Sequence, residues 1–103
     1  LYLAPEEPFH DAAQADSLGQ RIAACYRKAY AEEPFVRLLE GKALPDTKNV
    51  VGTNVVEIAW RLDPRTGRLL VFSAEDNIVK GASGQAVQSL NVLGGFPETT
   101  GLL

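Results

Sequence analysis

Apolar positions along this chain change their spacing several times, and each spacing predicts an element. From Leu18 onward, Ile22, Cys25, Tyr26, Ala29 and Tyr30 recur at intervals of three and four, which is one face of an amphipathic helix. Asp16 and Ser17 are cap-forming residues at its start. Arg21, Arg27 and Lys28 occupy much of the outward side, and Pro34 requires the helix to end near Ala31 or Glu32. Upstream, Leu1-Tyr2-Leu3 predicts an apolar strand that Pro5 and Pro8 cut short. Phe35 to Leu39 predicts a second short strand, closed by Glu40-Gly41-Lys42 and followed by a polar loop around Pro45 to Asn49.

The clearest local signal is the alternation from Asn54 to Leu62. Val56, Ile58, Trp60 and Leu62 fall on one face, and Val55, Glu57, Ala59 and Arg61 on the other. Asp63-Pro64-Arg65-Thr66-Gly67 is turn chemistry, and Arg68 to Ser73 returns as the partner strand of a hairpin. After Asp76-Asn77, Ala86, Val87, Leu90, Val92 and Leu93 predict a helix that ends at Gly94-Gly95, with Pro97 barring its continuation. The order strand, helix, strand, hairpin, helix predicts an α+β fold with helices packed on an antiparallel sheet. Both faces of the hairpin are partly apolar. Helices on one side and a second subunit on the other would produce that pattern, and so would a two-sided contact within one larger chain.

Composition narrows the picture. The 103 residues suffice for one small domain. A chain of this size buries roughly 60–70% of the surface its unfolded form exposes, so a partner surface would help its stability. Ten basic and thirteen acidic residues give a net charge of −3, which gives no support to nucleic-acid binding. The one cysteine, Cys25, excludes an internal disulfide and is compatible with a reducing compartment. No apolar run approaches the ~20 residues of a membrane span, and no secretory signal is visible. These features together predict a cytoplasmic protein. The chain has no methionine and begins at Leu1, so it is expected to be a fragment or a processed chain.

Candidate chemistry concentrates in the turn from Asp76 to Gln85. Free N–H groups and the dipole at a helix start attract anions and carbonyl oxygens. Gly81 and Gly84 would let a ligand approach the backbone, and Asn77 offers a donor and an acceptor suited to a carboxamide. The plain alternative is a strand-to-helix connection with both glycines packed against the sheet, and the short spacing alone favours it. Cys25 sits mid-helix on the predicted apolar face, which predicts burial and a raised pKa, the opposite of an activated nucleophile. His10 stands beside Asp11, so a His–Asp pair is conceivable, but an exposed loop histidine is the simpler reading. Glu32-Glu33 fit a solvated helix end, and Trp60, Phe72 and Phe35 fit a sheet core or interface. One cysteine and one histidine far apart make no metal site.

Several stretches, taken together, resemble the C-terminal region of the N-acetyl-γ-glutamyl-phosphate reductases. They are Tyr26-Arg27-Lys28-Ala29-Tyr30, Glu33-Pro34-Phe35-Val36, Leu44-Pro45-Asp46-Thr47-Lys48 and Val51-Gly52-Thr53-Asn54. The long run from Asp76-Asn77-Ile78-Val79-Lys80-Gly81-Ala82-Ser83-Gly84-Gln85 through Ala86-Val87-Gln88-Ser89-Leu90-Asn91 follows, and Pro97-Glu98-Thr99-Thr100-Gly101-Leu102 closes the series. The match covers about residues 20–103 in the family's order; the wider aspartate-semialdehyde dehydrogenase group shares only the Asp-Asn…Lys-Gly-Ala part. The resemblance implies an NADP-dependent reductase of arginine biosynthesis, acting on a small-molecule acyl phosphate and assembled as a homo-oligomer. Residues 1–103 would then belong to a C-terminal catalytic and dimerisation domain of the glyceraldehyde-3-phosphate dehydrogenase-like kind, whose sheet builds the subunit interface. The final helix, residues 81–95, would return to a Rossmann domain outside this chain. By the same resemblance Asn77, Lys80, Gly81 and Gly84 border the nicotinamide.

Departures from the family pattern matter as much. Its nucleophile stands in an Asn-Pro-Gly-Cys-Tyr-type motif, and Ala24-Cys25-Tyr26 lacks that lead. Its catalytic histidine stands in His-x-x-Pro-x-x-Arg-Gly, whereas His10 is followed by Asp11-Ala12-Ala13-Gln14. The dinucleotide-binding glycine motif is absent as well, so no catalytic residue is assigned here and the chain alone is expected to be inactive. Residues 4–19 match poorly. Two alternatives remain at this level: a lysine-pathway reductase of carrier-linked aminoadipyl phosphate, and a non-catalytic dimerisation module.

Overall fold

The hairpin forms as its alternation requires. In the computed structural model, which describes residues 1–102, strands β3 (Val56–Asp63) and β4 (Arg68–Glu75) pair antiparallel from Val56↔Glu75 to Asp63↔Arg68. Asp63 closes the turn by accepting from the Arg65 N–H at 3.0 Å and the Thr66 hydroxyl at 2.8 Å. That hydroxyl bond holds the Asp63 carboxyl below the usual carboxylate range. β1 (Tyr2–Leu3) adds antiparallel to the outer side of β4, with Leu1 exchanging two 2.9 Å bonds with Val71.

On the other side of the hairpin the antiparallel expectation fails. β2 (Val36–Leu38) runs parallel to β3, in the register Val36↔Val56 to Leu38↔Ile58, so the sheet is mixed, in the order β1-β4-β3-β2. The cause lies in the connection. Residues 39–55 are long enough to carry the chain back to the starting end of the sheet, and a crossover of a dozen or more residues permits parallel pairing where a tight turn forbids it. Within that crossover, the segment expected to be a polar loop contains a single helical turn, α2 (Thr47–Val50), capped by Asp46, with Val50 fully buried.

Helix α1 (Ala12–Tyr30) begins four residues before the expected caps. Asp11 is the actual cap: its carboxylate accepts from the Gln14 N–H at 2.8 Å, and Gln14 Oε1 accepts from the His10 N–H at 2.8 Å. This reciprocal arrangement is close to a capping box and satisfies two otherwise orphaned donors. The inward stripe runs through Leu18, Gly19, Ile22, Tyr26 and Tyr30. Tyr26 stacks on Trp60 with ring centroids 4.4 Å apart and planes 8° apart, and Gly19 lies against Leu62. With Tyr26 fixed inward, Cys25 is turned about 100° away, because successive helical residues differ by that angle. Cys25 is therefore exposed, contrary to the expected burial.

The opposite face of β3 is covered near β2 by residues 43–50. Glu57, only 2% exposed, accepts from Arg37 Nη1 at 3.1 Å, the Asp46 N–H at 3.3 Å and Asn49 Nδ2 at 3.4 Å. A buried carboxylate needs such donors to offset its lost hydration. Toward β4 and β1 the cover stops, leaving Tyr2, Leu44 and Phe72 exposed here and Leu1 and Leu3, opposite Val71 and Leu69, exposed on the Trp60 face. Buried apolar residues are correspondingly few: Phe9, Phe35, Val50 and Ala59. The Cα radius of gyration is 16.0 Å, against about 13 Å for a compact chain of this length. No helix among the described residues is long and apolar enough to cross a membrane.

Beyond β4 the chain makes one wide turn, Val79–Ser83, with π-type spacing, and continues into helix α3 (Gly84–Gly94). Asp76 sets this course. Its Oδ1 accepts from the N–H groups of Ile78 and Val79 at 2.7 and 2.9 Å, and its Oδ2 from the Gly52 N–H at 2.7 Å. The Gly52 bond first, then those of Val79 and Ile78, lower the Asp76 pKa.

Two stability effects follow from this architecture. Trp60→Ala should cost about 2–4 kcal/mol, somewhat below the roughly 3–5 kcal/mol of a fully buried large aromatic because Trp60 is half-buried. Urea unfolding measures it, and a loss of under about 0.5 kcal/mol, the level of an ordinary surface substitution, would contradict the stacking as a support. Asp76→Ala should lower the melting temperature at pH 7. Because the folded pKa is depressed, the Asp76 contribution is complete above the ordinary aspartate value and disappears as pH falls through the lowered one. The gap between parent and variant should therefore close below about pH 4; a gap that stays constant through melts at descending pH would sink this account.

Candidate functional site

The turn after Asp76 was expected to offer free N–H groups to a ligand. Asp76 takes two of them itself, those of Ile78 and Val79, so the protein's own carboxylate fills the place expected for an anion. The following N–H groups are drawn inward as well: Gly81 donates to the Asp76 carbonyl at 2.9 Å and Ser83 to the Ile78 carbonyl at 3.0 Å. What the turn presents outward is Asn77, Ile78 and the Gly81-Ala82-Ser83 edge, with Ile78 75% exposed. A side chain at Gly81 would place a Cβ 3.3 Å from Asn77 Oδ1 and from Glu75 Oε1, so glycine leaves the Asn77 amide unobstructed.

Lys80 points the other way, into a half-buried network. Its Nζ donates to Gln88 Oε1 at 2.6 Å and lies 5.6 Å from the centroid of the Phe35 ring. The same Gln88 oxygen accepts from Asn54 Nδ2 at 2.8 Å, and Gln88 Nε2 donates to Glu98 Oε1 at 2.6 Å. One amide thus stands between an ammonium and a carboxylate, with each end of its dipole facing the charge that suits it. This arrangement fixes the direction of the whole chain of bonds. The Gln88 oxygen is the acceptor, so Asn54 must present its NH2, and Asn54 Oδ1 is left buried without a donor. That oxygen occupies the space where a Cβ on Gly84 would fall, 2.3 Å from the ideal position. Gly84 is thus buried and lets the start of α3 close onto Asn54.

The inward face of α3 is polar. Gly84, Gln88 and Asn91, at i, i+4 and i+7, face the rest of the chain, and Asn91 donates to the carbonyls of Glu98 and Thr100 at 3.0 and 2.9 Å. Its apolar residues look outward: Leu90, Val92 and Leu93 are exposed, Leu93 at 87%. This inverts the usual pattern of a surface helix. Beside it lies an open groove of about 540 Å³ lined by Lys80, Gln85, Gln88, Ser89, Val92 and Leu93.

The structure brings the four sequence-predicted residues together, from Asn77 before the turn to Gly84 at the start of α3, but in different roles. Asn77 and Gly81 face outward, Lys80 lines the groove, and Gly84 supports from behind. Sequence reasoning had quoted Asn54, Gln88 and Glu98 without assigning them a site. The polar spacing of Gly84, Gln88 and Asn91 was the available signal, and it was masked by the assumption that a helix buries its apolar stripe. His10 is exposed in the loop before α1, and the Asp11 carboxylate beside it is engaged by Gln14. Among the described residues no cluster of His, Cys, Asp and Glu could hold a metal.

Comparison with known proteins fits this picture. Residues 10–77 match the family described as semialdehyde dehydrogenase, dimerisation domain. The chain is 54% identical over 90 residues to an N-acetyl-gamma-glutamyl-phosphate reductase of Akkermansia muciniphila, covering 87% of this chain and 25% of the relative. It is 59% identical over 78 residues to the Desulforudis audaxviator protein of the same name, covering 76% and 22%. With that of Thermus thermophilus it shares 53% over 83 residues, covering 81% and 24%. The chain thus spans about a quarter of the length of the curated relatives it matches. By the residues matched and the extent of these identities, the chain belongs to the semialdehyde dehydrogenase dimerisation-domain family.

Proposed function

We propose that this chain is part of an NADPH-dependent reductase that converts N-acetyl-γ-glutamyl phosphate to N-acetylglutamate semialdehyde in arginine biosynthesis. The observation that carries this reading is the 53–59% identity, over 76–87% of the chain, to relatives bearing the reductase name. The cysteine nucleophile, the catalytic histidine and the main dinucleotide site are supplied from outside these residues. The exposed thiol of Cys25, mid-helix on α1 and far in sequence from the turn, has no assigned part in the reaction.

When bound, the cofactor supplies hydride. The residues here fit the nicotinamide end of such a group. Asn77 holds its amide outward beside the open edge at Gly81, where a carboxamide can exchange two hydrogen bonds. Lys80 contributes a positive charge at the groove beside α3. Gly84 lets α3 seat closely enough for the turn to keep this shape. Asp76 holds the turn open and in register with Gly52. The outward apolar face of α3 supports a final helix, residues 81–95, that leaves this domain and docks on the nucleotide-binding domain. The exposed Leu1, Leu44 and Phe72, around an open hollow of about 490 Å³, support the subunit contact of a cytoplasmic homo-oligomer.

The 103 residues alone should show no turnover of the acyl phosphate and no useful NADPH affinity; measurable reduction in a coupled reductase assay would overturn the division of labour. In the full-length reductase, Asn77→Ala should raise the KM for NADPH about tenfold, the equivalent of roughly 1.4 kcal/mol from lost hydrogen bonds. Unchanged KM and kcat would remove Asn77 from the site.

A further inference from the structure

We infer that Gln88 is a positioning residue that fixes the Lys80 ammonium for the cofactor, and that Asn54 and Glu98 fix Gln88 in turn. The inference rests on the cofactor reading of Lys80 given above. A lysine side chain has four rotatable bonds, and leaving its charge free would scatter it over the groove. Here the ammonium is held at 2.6 Å by Gln88 Oε1 and backed by the Phe35 ring. Gln88 is held at its other end by the Glu98 carboxylate at 2.6 Å, and its oxygen is shared with Asn54 at 2.8 Å. Every polar atom of the Gln88 amide that these bonds use is matched by charge: the oxygen meets donors, the nitrogen meets an anion. Asn54, 1% exposed, leaves its own Oδ1 without a donor to keep this polarity. A buried, unpaired acceptor is costly, and a network built only to seat α3 could have avoided it with an apolar pair. The arrangement sacrifices that acceptor to keep the Gln88 oxygen aimed at Lys80. Glu98 belongs to the segment after α3, which Asn91 ties down through the Glu98 and Thr100 carbonyls. The Lys80 charge is thus set by the seating of the C-terminal segment, 18 positions further along the chain than Lys80 itself (98 − 80).

The test uses the full-length reductase and two readouts. The first is the rate at which an N-hydroxysuccinimide acetate acylates Lys80 in the cofactor-free enzyme, followed by peptide mass spectrometry with Lys28, Lys42 and Lys48 as internal controls. The second is the KM for NADPH against kcat. Gln88→Met should speed Lys80 labelling about fivefold or more without changing the controls. It should raise KM about tenfold with kcat within about twofold, as expected for one lost charge-assisted hydrogen bond used in binding. Exchanging the two groups, with Gln88→Glu and Glu98→Gln together, preserves every donor–acceptor pairing and should restore slow labelling and low KM. If Gln88→Met fails to fold, the exchanged pair decides alone: a folded enzyme with rapidly labelled Lys80 overturns the inference. Unchanged labelling in a folded Gln88→Met enzyme also overturns it while the cofactor reading stands. An unchanged KM in Lys80→Met overturns the cofactor reading of Lys80, and the positioning role with it.

Discussion

Both oxygens of the Asp76 carboxylate are occupied by backbone amides from two separate parts of the chain. One oxygen gathers Ile78 and Val79 at the start of the wide turn, and the other reaches back to Gly52 at the end of the crossover. Much else depends on that single group. Gly52 must be held near the end of the crossover for Asn54 to stand just before β3 where it does, and the turn must begin at Ile78 for Lys80 and Asn54 to meet at Gln88. Without it, the turn would lose both its capped start and its tie to Gly52, and the Asn54–Gln88 bond would be left to hold α3 in place.

The sequence revealed these parts unevenly, and the reasons are physical. The hairpin was legible because its period, turn residues and register signals all agree. The end of α3 was legible because Gly94-Gly95 and Pro97 permit nothing else. The parallel pairing of β2 was not, since strand direction depends on where a crossover returns the chain, and no local period records that. The start of α1 was missed because Asp16 and Ser17 were plausible caps, while the operative signal, Asp11 with Gln14 three residues on, lay in a stretch dismissed for its prolines. Cys25 was misplaced by one step around the helix; the rotation is set by Tyr26 meeting Trp60, a contact between distant residues. At the candidate site, residue types and the turn were visible. The polarity of the network was not, because it arises only when Asn54, Gln88 and Glu98 come together from three elements.

Sheet and helix share a common incompleteness. Part of one side of the sheet is covered by α1 and part of the other by residues 43–50, yet the β1–β4 edge keeps its apolar side chains in the open. Helix α3 does the same on a smaller scale, since its contacts with the rest of the chain are polar and its apolar residues point away. The two exposed surfaces arise on different elements, one on the sheet and one on α3; in the function proposed above, the first meets a second copy and the second another domain. The turn at Asp76 lies where the sheet gives way to the helix, between these two exposed surfaces.

The close seating of Gly84 on Asn54 has a consequence for how such proteins can diverge. A methyl group at position 84 would collide with the amide oxygen of residue 54 and with the Val79 carbonyl. A smaller residue at 54 would relieve the first clash but would release Gln88 from one of its partners. A side chain at position 84 therefore stays blocked by the Val79 carbonyl whatever stands at 54, and a change at 54 costs Gln88 a partner without freeing position 84. Two positions 30 apart in the chain (84 − 54) are thus constrained by one close approach, in which the helix start leaves no room for even a single added carbon.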